Sequence, residues 1–503
     1  MTGRDLLKSP LWRAEDLGAP IPDSHHAVSV ALPRWQDVVG YEEEHPEVID
    51  RLKGGYPRFV VHRFVKEVAG RIAGCKPCLV FPSSNTAHMC AAFIEQQSGA
   101  SAEIRTCGAS WGVVTDARGT NALQAFWQHT GLIVSTRRAL AELEGRGTAG
   151  DDGRSGNILR ENLAALYQCS PADVYLHPTG MAAMFAALRV LNRRLPGVPT
   201  VQIGFPYVDT FKLQEKFGYG ATLLTDLDRC ASDLEALLKR GPLAGGFSEI
   251  PGNPLLGSAD LRAITPILRK CRVPLVIDDV VATPVNIDLR NHADLIATSL
   301  TKYIAGSGDV MGGALICNSG SPYYAELKEL AAALHEELLW HEDAAVLAAN
   351  IVAFPERMQN HNKNGLLIAE RLRKHPAVEQ VWYPKWSSAA AYEAVRRPAG
   401  GWGSLIAFLS RDAARTAPRI FDTMAVCKGP SLGTIFTLAC PFTLLAHYRE
   451  LEWAESCGVS RYLIRISVGL EDPEELWLRI ANALDQSLSP PHAGAADTTP
   501  RTS

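Results

Sequence analysis

The sequence predicts a mostly parallel α/β sheet with helices on both faces, followed by a smaller C-terminal α/β domain. Beyond residue 157, short apolar strand-like runs alternate with helical runs, a pattern typical of strands that are buried on both faces. The intervening runs, such as 181–192 and 261–270, are long enough to cross over between parallel strands. A length of 503 residues allows two or three domains, each with its own core.

The strands of the large sheet are predicted from short apolar runs that turn-forming residues separate. They are residues 174–176, 200–203, 221–224, 244–248, 275–277, 295–298 and 313–317. A long helix is expected near 322–340, and helical periodicity continues over 344–372. This periodicity predicts a connection to a separate C-terminal domain that starts near residue 375.

The segments that flank this sheet complete the expected domain organisation. We expect an N-terminal arm over 1–77, with a helix near 60–72, and an inserted small α/β unit over 78–157. That unit should end in a Gly- and Asp-rich loop at 145–157 that is too polar to pack. The remaining divisions are a large domain over 158–345, a linker helix with the small domain over 346–486, and a disordered tail over 487–503.

Composition excludes several classes of function. A net charge of -4 with 47% apolar and 21% charged residues gives no electrostatic reason to expect a nucleic-acid or membrane partner. Eleven cysteines in so long a chain suit a reducing compartment, and the single Cys-x-x-C pair at Cys75 and Cys78 predicts no metal site. No presequence or membrane-spanning run is evident, so we expect a cytoplasmic enzyme.

Lys302 is the most informative candidate for chemistry. It follows Ser299 and Thr301, and it stands 24 positions after Asp278, which ends another predicted strand. A lysine amine can hold the aldehyde of pyridoxal phosphate (PLP) as a Schiff base, while an aspartate keeps the pyridine nitrogen protonated. Lysines after short apolar strands are commonly just solvated, so this pair needs support from other motifs.

Two strand ends provide that support. Gly180 and Met181 stand where a strand passes into a helix, and the N–H groups of a first helical turn favour a phosphate. Tyr207 follows the next predicted strand, at the edge where open α/β sheets bind ligands. There it could stack on a pyridine ring and take part in proton transfer, or simply pack on a loop.

The ordered set of motifs resembles the cysteine/methionine-metabolism PLP-dependent enzymes, in the fungal branch of the cystathionine γ-synthase and γ-lyase group. The resemblance covers about residues 50–485. The matching motifs are Tyr-x-Arg at 56–58, Thr-Gly-Met-Ala-Ala at 179–183, Tyr207, Glu-x-Pro-x-Asn-Pro at 249–254, Asp278, Ser-x-Thr-Lys-Tyr at 299–303, a helix at 357–362 and Leu-x-Arg-x-Ser-Val-Gly-x-Glu-Asp at 463–472.

The resemblance implies an aspartate-aminotransferase-like (fold type I) large domain and a role for each matched residue. Tyr56 and Arg58 would reach the cofactor phosphate of a neighbouring subunit, which implies a homo-oligomer with shared sites, a dimer or a dimer of dimers. Asn253 would lie by the cofactor hydroxyl. Arg465 would bind the substrate carboxylate with help from Ser431. Lys302 and Tyr207 would be catalytic, and no metal is implied.

Three departures from the family pattern concern substrate preference. Residues 59–178 intervene between Tyr-x-Arg and the phosphate turn, whereas bacterial-type members have only a short segment there. Pro430 replaces a glutamate that is often linked to γ-specificity, and Ser307 stands where the family frequently has a histidine.

The implied reaction is γ-replacement on an O-activated homoserine, the O-acetyl or O-succinyl ester, through a vinylglycine-type intermediate with cysteine as the nucleophile. Alternatives within the family are C–C bond formation with a β-keto acid and γ-elimination. Two rivals from other classes are a serine hydrolase that uses Ser110 of the Gly-x-Ser-x-Gly string and a non-catalytic homologue. The strand-like sequence after Ser110 argues against the first. Retention of Asp278, Lys302 and Arg465 argues against the second.

Overall fold

The computed structural model describes residues 4–147 and 152–488. Its strands form three separate sheets, one in each of three consecutive parts of the chain. Strands and helices alternate throughout, so the predicted α/β class is confirmed. The largest sheet positions most of the candidate site.

The N-terminal unit is built on a three-stranded antiparallel sheet in the order β1-β3-β2. Its elements are α1 (Trp35–Glu42), α2 (Pro46–Ile49), α3 (Arg63–Ala73), β1 (Cys78–Phe81), α4 (Ser84–Ser98), β2 (Ala102–Cys107), β3 (Ser110–Thr115), α5 (Thr120–Thr130) and α6 (Thr136–Leu143). Phe81, Phe126 and Trp127 are buried at its centre in edge-to-face contacts. Because α3 packs on β1 within this core, the unit begins before residue 78.

Ser110 is the first residue of β3, directly after the hairpin turn from β2, and is buried. A hydrolase nucleophile of this motif stands at a turn from a strand into a helix. The hairpin position therefore removes the hydrolase alternative.

The large domain contains a seven-stranded sheet in the order β4-β10-β9-β8-β7-β5-β6. Strands β4 to β9 run in one direction, and β10 is antiparallel to both of its neighbours. The elements are α7 (Arg154–Tyr167), β4 (Val174–His177), α8 (Gly180–Arg194), β5 (Thr200–Ile203), α9 (Val208–Phe217), β6 (Ala221–Leu224), α10 (Cys230–Leu238), β7 (Gly246–Glu249), α11 (Leu261–Lys270), β8 (Leu275–Asp278), α12 (Thr283–Asn286), β9 (Leu295–Ser299), β10 (Gly313–Cys317), α13 (Tyr324–Leu334) and α14 (His341–Ile351).

All seven predicted strands are present, but two predictions around them need correction. Helix α7 begins at Arg154, inside the segment 145–157 that the sequence predicts to be a loop, because an apolar stripe from Leu159 to Leu163 is buried against the large domain. The helix predicted over 322–340 ends at Leu334, where the chain becomes extended at His335.

The C-terminal domain contains a five-stranded sheet in the order β11-β12-β15-β14-β13. Its elements are α15 (Phe354–Lys374), β11 (Val378–Trp382), α16 (Ala389–Glu393), β12 (Leu405–Ser410), α17 (Ala413–Thr423), β13 (Cys427–Lys428), β14 (Leu438–Pro441), α18 (Phe442–His447), α19 (Leu451–Ser456), β15 (Ile464–Ser467) and α20 (Pro473–Leu488). The helical run predicted over 344–372 is divided between α14 and α15. Pro355 lies in the first turn of α15, where its missing N–H costs no helical bond.

The N-terminal segment, expected to form an arm, packs against the C-terminal domain. Leu6, Leu11 and Ile21 form a buried cluster with residues of the C-terminal sheet, and the Leu32 N–H donates to the Lys428 carbonyl at 2.9 Å. The predicted disordered tail lies outside the described residues, apart from its first two positions at the end of α20. None of the helices in the described ranges combines the length and apolar character needed to span a bilayer.

Candidate active site

The candidate site lies at the edge of the large sheet where the codirectional strands β4 to β9 end. The carboxyl ends of parallel strands meet at one edge, and the loops that leave them gather there. Five predicted site positions lie at this edge: Gly180 after β4, Tyr207 after β5, Asn253 after β7, Asp278 at the end of β8 and Ser299 at the end of β9.

The turn before α8 forms a cradle of free backbone N–H groups. Thr179 caps the helix, because its hydroxyl accepts a bond from the Ala182 N–H at 3.0 Å and its carbonyl accepts from the Ala183 N–H at 3.2 Å. The N–H groups of Gly180 and Met181 belong to the first turn and have no intrahelical acceptor. A Cβ on Gly180 would lie 2.6 Å from the Ser299 Cβ, so only glycine lets this turn approach β9.

Lys302 is half-buried between Tyr56 and Ser431. Its Nζ lies 4.5 Å from the centroid of the Tyr56 ring and donates to the Ser431 Oγ at 2.8 Å. Burial lowers the pKa of Lys302 below its ordinary value, although the nearby Tyr56 raises it in part. The neutral amine, which is the nucleophilic and basic form, is thereby favoured.

Arg465 brings the C-terminal domain to the same place. This buried residue on β15 donates from Nη1 to the Asn253 Oδ1 at 3.2 Å and from Nη2 to the Ser431 carbonyl at 2.7 Å. Its guanidinium also lies 5.0 Å from the Phe442 ring. Ser431 has a φ of 95°, a region that non-glycine residues rarely adopt, which indicates that its position is imposed by this network.

Tyr56 and Arg58 lie in the site of their own chain. Arg58 donates from Nη2 to the Tyr207 hydroxyl at 2.6 Å and from Nη1 to the Asp209 Oδ2 at 2.5 Å. The resemblance implies that both residues reach the cofactor phosphate of a neighbouring subunit, and this stays a prediction. Helix α5 of the inserted unit contacts the Tyr-x-Arg segment, because the Trp127 Nε1 donates to the Pro57 carbonyl at 3.2 Å.

Asp278 lies among negative rather than positive charges. Burial, followed by the charges of Glu249 and Asp279, raises the pKa of Asp278 well above its ordinary value, although the Val280 N–H donates to it at 2.8 Å. Burial also raises the pKa of Glu249 to about 7, while bonds from the Tyr207 and Asn253 N–H groups oppose the shift. A cationic group beside Asp278 would lower the energy of this arrangement.

The two hydroxyl residues before Lys302 differ in their surroundings. Ser299 faces Gly180 across the cradle, with its Oγ 3.0 Å from the ideal Cβ position of that glycine. Thr301 is buried, and its hydroxyl accepts from the Gly312 N–H at 3.1 Å and donates weakly to the Gly312 carbonyl at 3.4 Å. Ser299 is thus the better placed of the two for a ligand on the cradle.

Residues outside the sequence-predicted set complete the network. Asp209 accepts bonds from Arg58, from the Gln128 Nε2 at 3.0 Å and from the His129 Nδ1 at 2.9 Å, and Glu249 holds the backbone on either side of the site. Glu249 stands in the quoted Glu-x-Pro-x-Asn-Pro motif, so it could have been named. Gln128 and His129 lie in the inserted unit and carry no motif that would have indicated them.

Two family models together match most of the chain. The model described as "Cys/Met metabolism PLP-dependent enzyme" matches residues 134–485. The model described as "Fungal trans-sulfuration enzyme, N-terminal domain" matches residues 60–135, which is the unit that carries α3 to α5.

The sequences of two curated relatives align with this chain over nearly their full length. The cystathionine gamma-synthase of Neurospora crassa is 32% identical, covering 92% of this chain and 96% of the relative. The L-2-amino-4-chloropent-4-enoate dechlorinase/desaturase of Streptantibioticus cattleyicolor is 34% identical, covering 93% and 97%. Among solved structures, the cystathionine gamma synthase of Xanthomonas oryzae pv. oryzae in complex with cystathionine has a TM-score of 0.57 at 27% identity, covering 68% of this chain and 89% of that one.

Pyridoxal phosphate fits the site on observations of the site itself. The free N–H groups of Gly180 and Met181 suit a phosphate, and the Lys302 amine suits an aldehyde. The two charged neighbours that shift the pKa of Asp278, Glu249 and Asp279, are both acidic, so Asp278 suits a protonated ring nitrogen. By these observations and the family matches over residues 60–135 and 134–485, the chain belongs to the cysteine/methionine-metabolism PLP-dependent enzyme family, with the N-terminal domain of the fungal trans-sulfuration enzymes.

Proposed function

We propose that the protein catalyses γ-replacement on an O-activated homoserine, the O-acetyl or O-succinyl ester, with the thiol of cysteine as the nucleophile. The product would be cystathionine. The relatives that are named cystathionine gamma-synthases support this reaction, since they are similar over more than nine-tenths of the chain.

One observation carries the proposal: a lysine amine and an arginine fork converge on Ser431. Lys302 contacts its hydroxyl at 2.8 Å and Arg465 its carbonyl at 2.7 Å. An α-amino acid whose carboxylate is bound by Arg465 would place its Cα near the Lys302 amine. A planar fork of two N–H groups can bind a carboxylate through both oxygens, which a lysine cannot reproduce.

The chain's own residues have distinct proposed roles. Lys302 removes the Cα proton, since burial favours its neutral amine. The same amine removes a proton from Cβ as the ester leaves Cγ, and it returns a proton to Cβ after the thiol has added at Cγ. The Tyr56 ring, 4.5 Å from the Lys302 Nζ, stabilises the ammonium form that results. Although burial raises the pKa of Tyr56, the charges of Lys302 and Arg58 lower it overall. Tyr56 is therefore suited to share a proton with Lys302.

The cofactor supplies, when bound, an electron-withdrawing ring that stabilises negative charge on the substrate. Asp278 would keep the ring nitrogen protonated, and Asn253 would border the ring hydroxyl. Gly180, Met181 and Ser299 together with Arg58 would hold the phosphate, and Thr301 would contribute by fixing the turn through Gly312. Tyr207 would stack on the ring. Burial raises the pKa of its phenol despite the charge of Arg58, so it would act as a proton donor.

Product analysis tests the proposal. The holoenzyme is incubated with O-acetylhomoserine or O-succinylhomoserine and with cysteine, sulfide or a β-keto acid, and the amino-acid products are identified by mass spectrometry. Cystathionine formed at the highest kcat/KM with cysteine supports the proposal. A product with a new C–C bond, or turnover that is independent of any added nucleophile, would contradict it.

Lys302→Ala tests the central assignment within the same assay. We expect loss of at least about 1,000-fold in kcat, because proton transfer and covalent attachment are both removed. The visible absorbance of lysine-bound cofactor should also disappear. Lys428→Ala is a matched control. Lys428 is a buried lysine of the C-terminal domain, and its Nζ contacts the carbonyls of Pro33 and Asp422. This variant should retain the absorbance band.

A second candidate is γ-elimination without replacement. It is favoured by the similarity to the dechlorinase/desaturase, whose named substrate carries its chlorine on the γ-carbon. Release of a 2-oxo acid and ammonia from the homoserine ester in the absence of thiol would identify this reaction.

A further inference from the structure

The N-terminal segment forms a short antiparallel hairpin beside the candidate site. The Ile21 N–H donates to the Ser29 carbonyl at 3.0 Å, and the Ala31 N–H donates to the Ala19 carbonyl at 2.8 Å. Ile21 and Ala31 are fully buried, and Ser29 is 1% exposed. The hairpin is therefore a fixed element of the packed interior.

One side of this hairpin contacts the loop that carries Ser431. The Ser29 hydroxyl donates to the Pro430 carbonyl at 2.5 Å. A Cβ on Gly429 would lie 2.3 Å from the Val30 carbonyl oxygen and 3.0 Å from the Ser29 Oγ. Glycine at position 429 thus permits the close approach, because a side chain there would push the hairpin away from the loop.

Pro430 makes the bond from Ser29 important for the conformation of the loop. A proline has no backbone N–H, so its carbonyl is the only backbone group through which a hydrogen bond can hold it. The glutamate that the family often has at this position would keep the N–H and add a carboxylate, and Pro430 supplies neither. The orientation of the peptide group between Pro430 and Ser431 therefore depends on the donor that Ser29 provides.

The peptide groups on both sides of Ser431 are held by hydrogen bonds. Its own carbonyl accepts from the Arg465 Nη2 at 2.7 Å, and the carbonyl before it accepts from Ser29. Ser431 has a φ of 95°, and a non-glycine residue keeps such a conformation only when its surroundings impose it. In this conformation the Ser431 Oγ accepts from the Lys302 Nζ at 2.8 Å.

We propose that Ser29 is a positioning residue. Through the Pro430 carbonyl, it holds Ser431 in the conformation in which Arg465 and Ser431 bind the substrate carboxylate. The inference rests on the proposed role of these two residues in carboxylate binding. It does not depend on which nucleophile the enzyme uses or on the oligomeric state.

Ser29→Ala tests the inference, with L-homoserine as the probe. This amino acid has the α-carboxylate of the proposed substrate but no ester to leave, so the visible absorbance of the bound cofactor reports its dissociation constant without turnover. We expect Ser29→Ala to weaken L-homoserine binding about tenfold, because the Pro430 carbonyl loses its donor and Ser431 relaxes towards an ordinary backbone conformation. The dissociation constant of pyridoxal phosphate should stay within about twofold of the wild type.

Ser487→Ala is the matched control. Ser487 is also 1% exposed, and its hydroxyl donates to the Leu484 carbonyl at 2.6 Å within helix α20. This variant loses the same kind of buried bond, so a purely structural effect would appear as a lower melting temperature in both variants. Only Ser29→Ala should weaken L-homoserine binding. An unchanged affinity in Ser29→Ala, or an equal loss in both variants, would overturn the inference.

A double-mutant cycle with Ser431→Gly separates positioning from packing. Glycine adopts a positive φ without strain, so position 431 no longer needs to be held by Ser29. Adding Ser29→Ala to Ser431→Gly should therefore weaken L-homoserine binding by no more than about twofold further. Losses that multiply would show that Ser29 acts independently of Ser431, which refutes the positioning role.

A second variant covers the case in which Ser29→Ala does not fold. Ser29→Cys keeps a side chain of similar size, but a thiol is a weak donor, and the same loss of L-homoserine affinity is expected.

Arg465→Lys distinguishes this inference from the proposed function. If Arg465→Lys leaves L-homoserine affinity unchanged, the assignment of the carboxylate site and this inference fail together. If Arg465→Lys weakens binding and the Ser29 variants do not, only the positioning role fails.

Discussion

At the residue scale, burial determines the reactivity of the site more than any single contact. Lys302, Asp278 and Glu249 all lie in surroundings that disfavour their charged forms. Groups with strongly shifted pKa values cluster at functional sites. The sequence indicates which residue types are present, but their surroundings come from three distant segments.

Arg465→Lys should separate substrate binding from cofactor binding. The lysine keeps the charge but loses the two-pronged fork, a change of about 1.5–3 kcal/mol for bonds to a charged group. We expect the KM for the homoserine ester to rise roughly tenfold to a hundredfold, with an unchanged dissociation constant for pyridoxal phosphate. Arg371→Lys, in an exposed pair with Glu474, is the control. An unchanged KM would contradict the assignment of Arg465.

Asp279→Asn should change how the stability of the apoprotein depends on pH. Burial raises the pKa of Asp279 to about 6, although bonds from Thr298 and Tyr167 lower it in part. The folded state therefore binds this proton more tightly than the unfolded state does. The stability that the bound proton contributes is complete below about pH 4 and is lost as the pH rises through about 6. Over that pH range the free energy of unfolding of the wild type should fall by about 3 kcal/mol, and the variant should not show this fall.

Melting temperatures of both proteins between pH 4 and pH 7 measure this effect. The melting temperature of the variant should rise relative to that of the wild type as the pH increases. Asp412→Asn, on an exposed turn, should follow the wild-type curve. Parallel curves for Asp279→Asn and the wild type would contradict the raised pKa.

At the element scale, short strands and helix starts place the site, and their positions follow from local sequence. The strands of the large sheet are apolar runs that end in a polar residue or a turn, and the helices that follow β4 and β5 begin at the site. The local sequence does not predict which of these elements contact each other. The approach of α8 to β9 at Gly180 and Ser299 is such a contact.

Gly180→Ala should separate α8 from β9. The added Cβ would overlap the Ser299 side chain at 2.6 Å, and overpacking of this kind costs about 1–3 kcal/mol. We expect a lower melting temperature and weaker binding of pyridoxal phosphate. Gly70→Ala in α3 is the control, since nothing lies within 4 Å of its added Cβ, and it should stabilise the helix by about 0.5–1 kcal/mol. Equal effects of both substitutions would refute the close approach.

At the scale of the whole molecule, the site joins the N-terminal unit, the large domain and the C-terminal domain. Arg58 connects the first two through Gln128 and Asp209, and Arg465 connects the last two through Asn253. A ligand that contacts all of these groups stabilises the folded chain by mass action, by about 2.7 kcal/mol at a concentration of 100 times its dissociation constant.

Cofactor binding should therefore protect the N-terminal unit as well as the large domain. We expect slower amide hydrogen exchange in α5 of the wild-type apoprotein after pyridoxal phosphate is added. In Arg58→Ala the protection should remain in α8 but disappear from α5. Equal protection of α5 in both proteins would show that the unit responds to the cofactor by another route.

The sequence by itself determined the fold class, the strands of the large sheet and the residues of the family motifs, because these depend on local apolar pattern and on side-chain chemistry. Only the tertiary structure decided which residues hold Arg58. Gln128, His129 and Asp209 come together from two separate units, and no periodicity or motif relates positions that are 80 residues apart. Their pairing follows from burial: a guanidinium removed from water requires a carboxylate partner, and the docking of α5 against the large sheet brings that partner within reach.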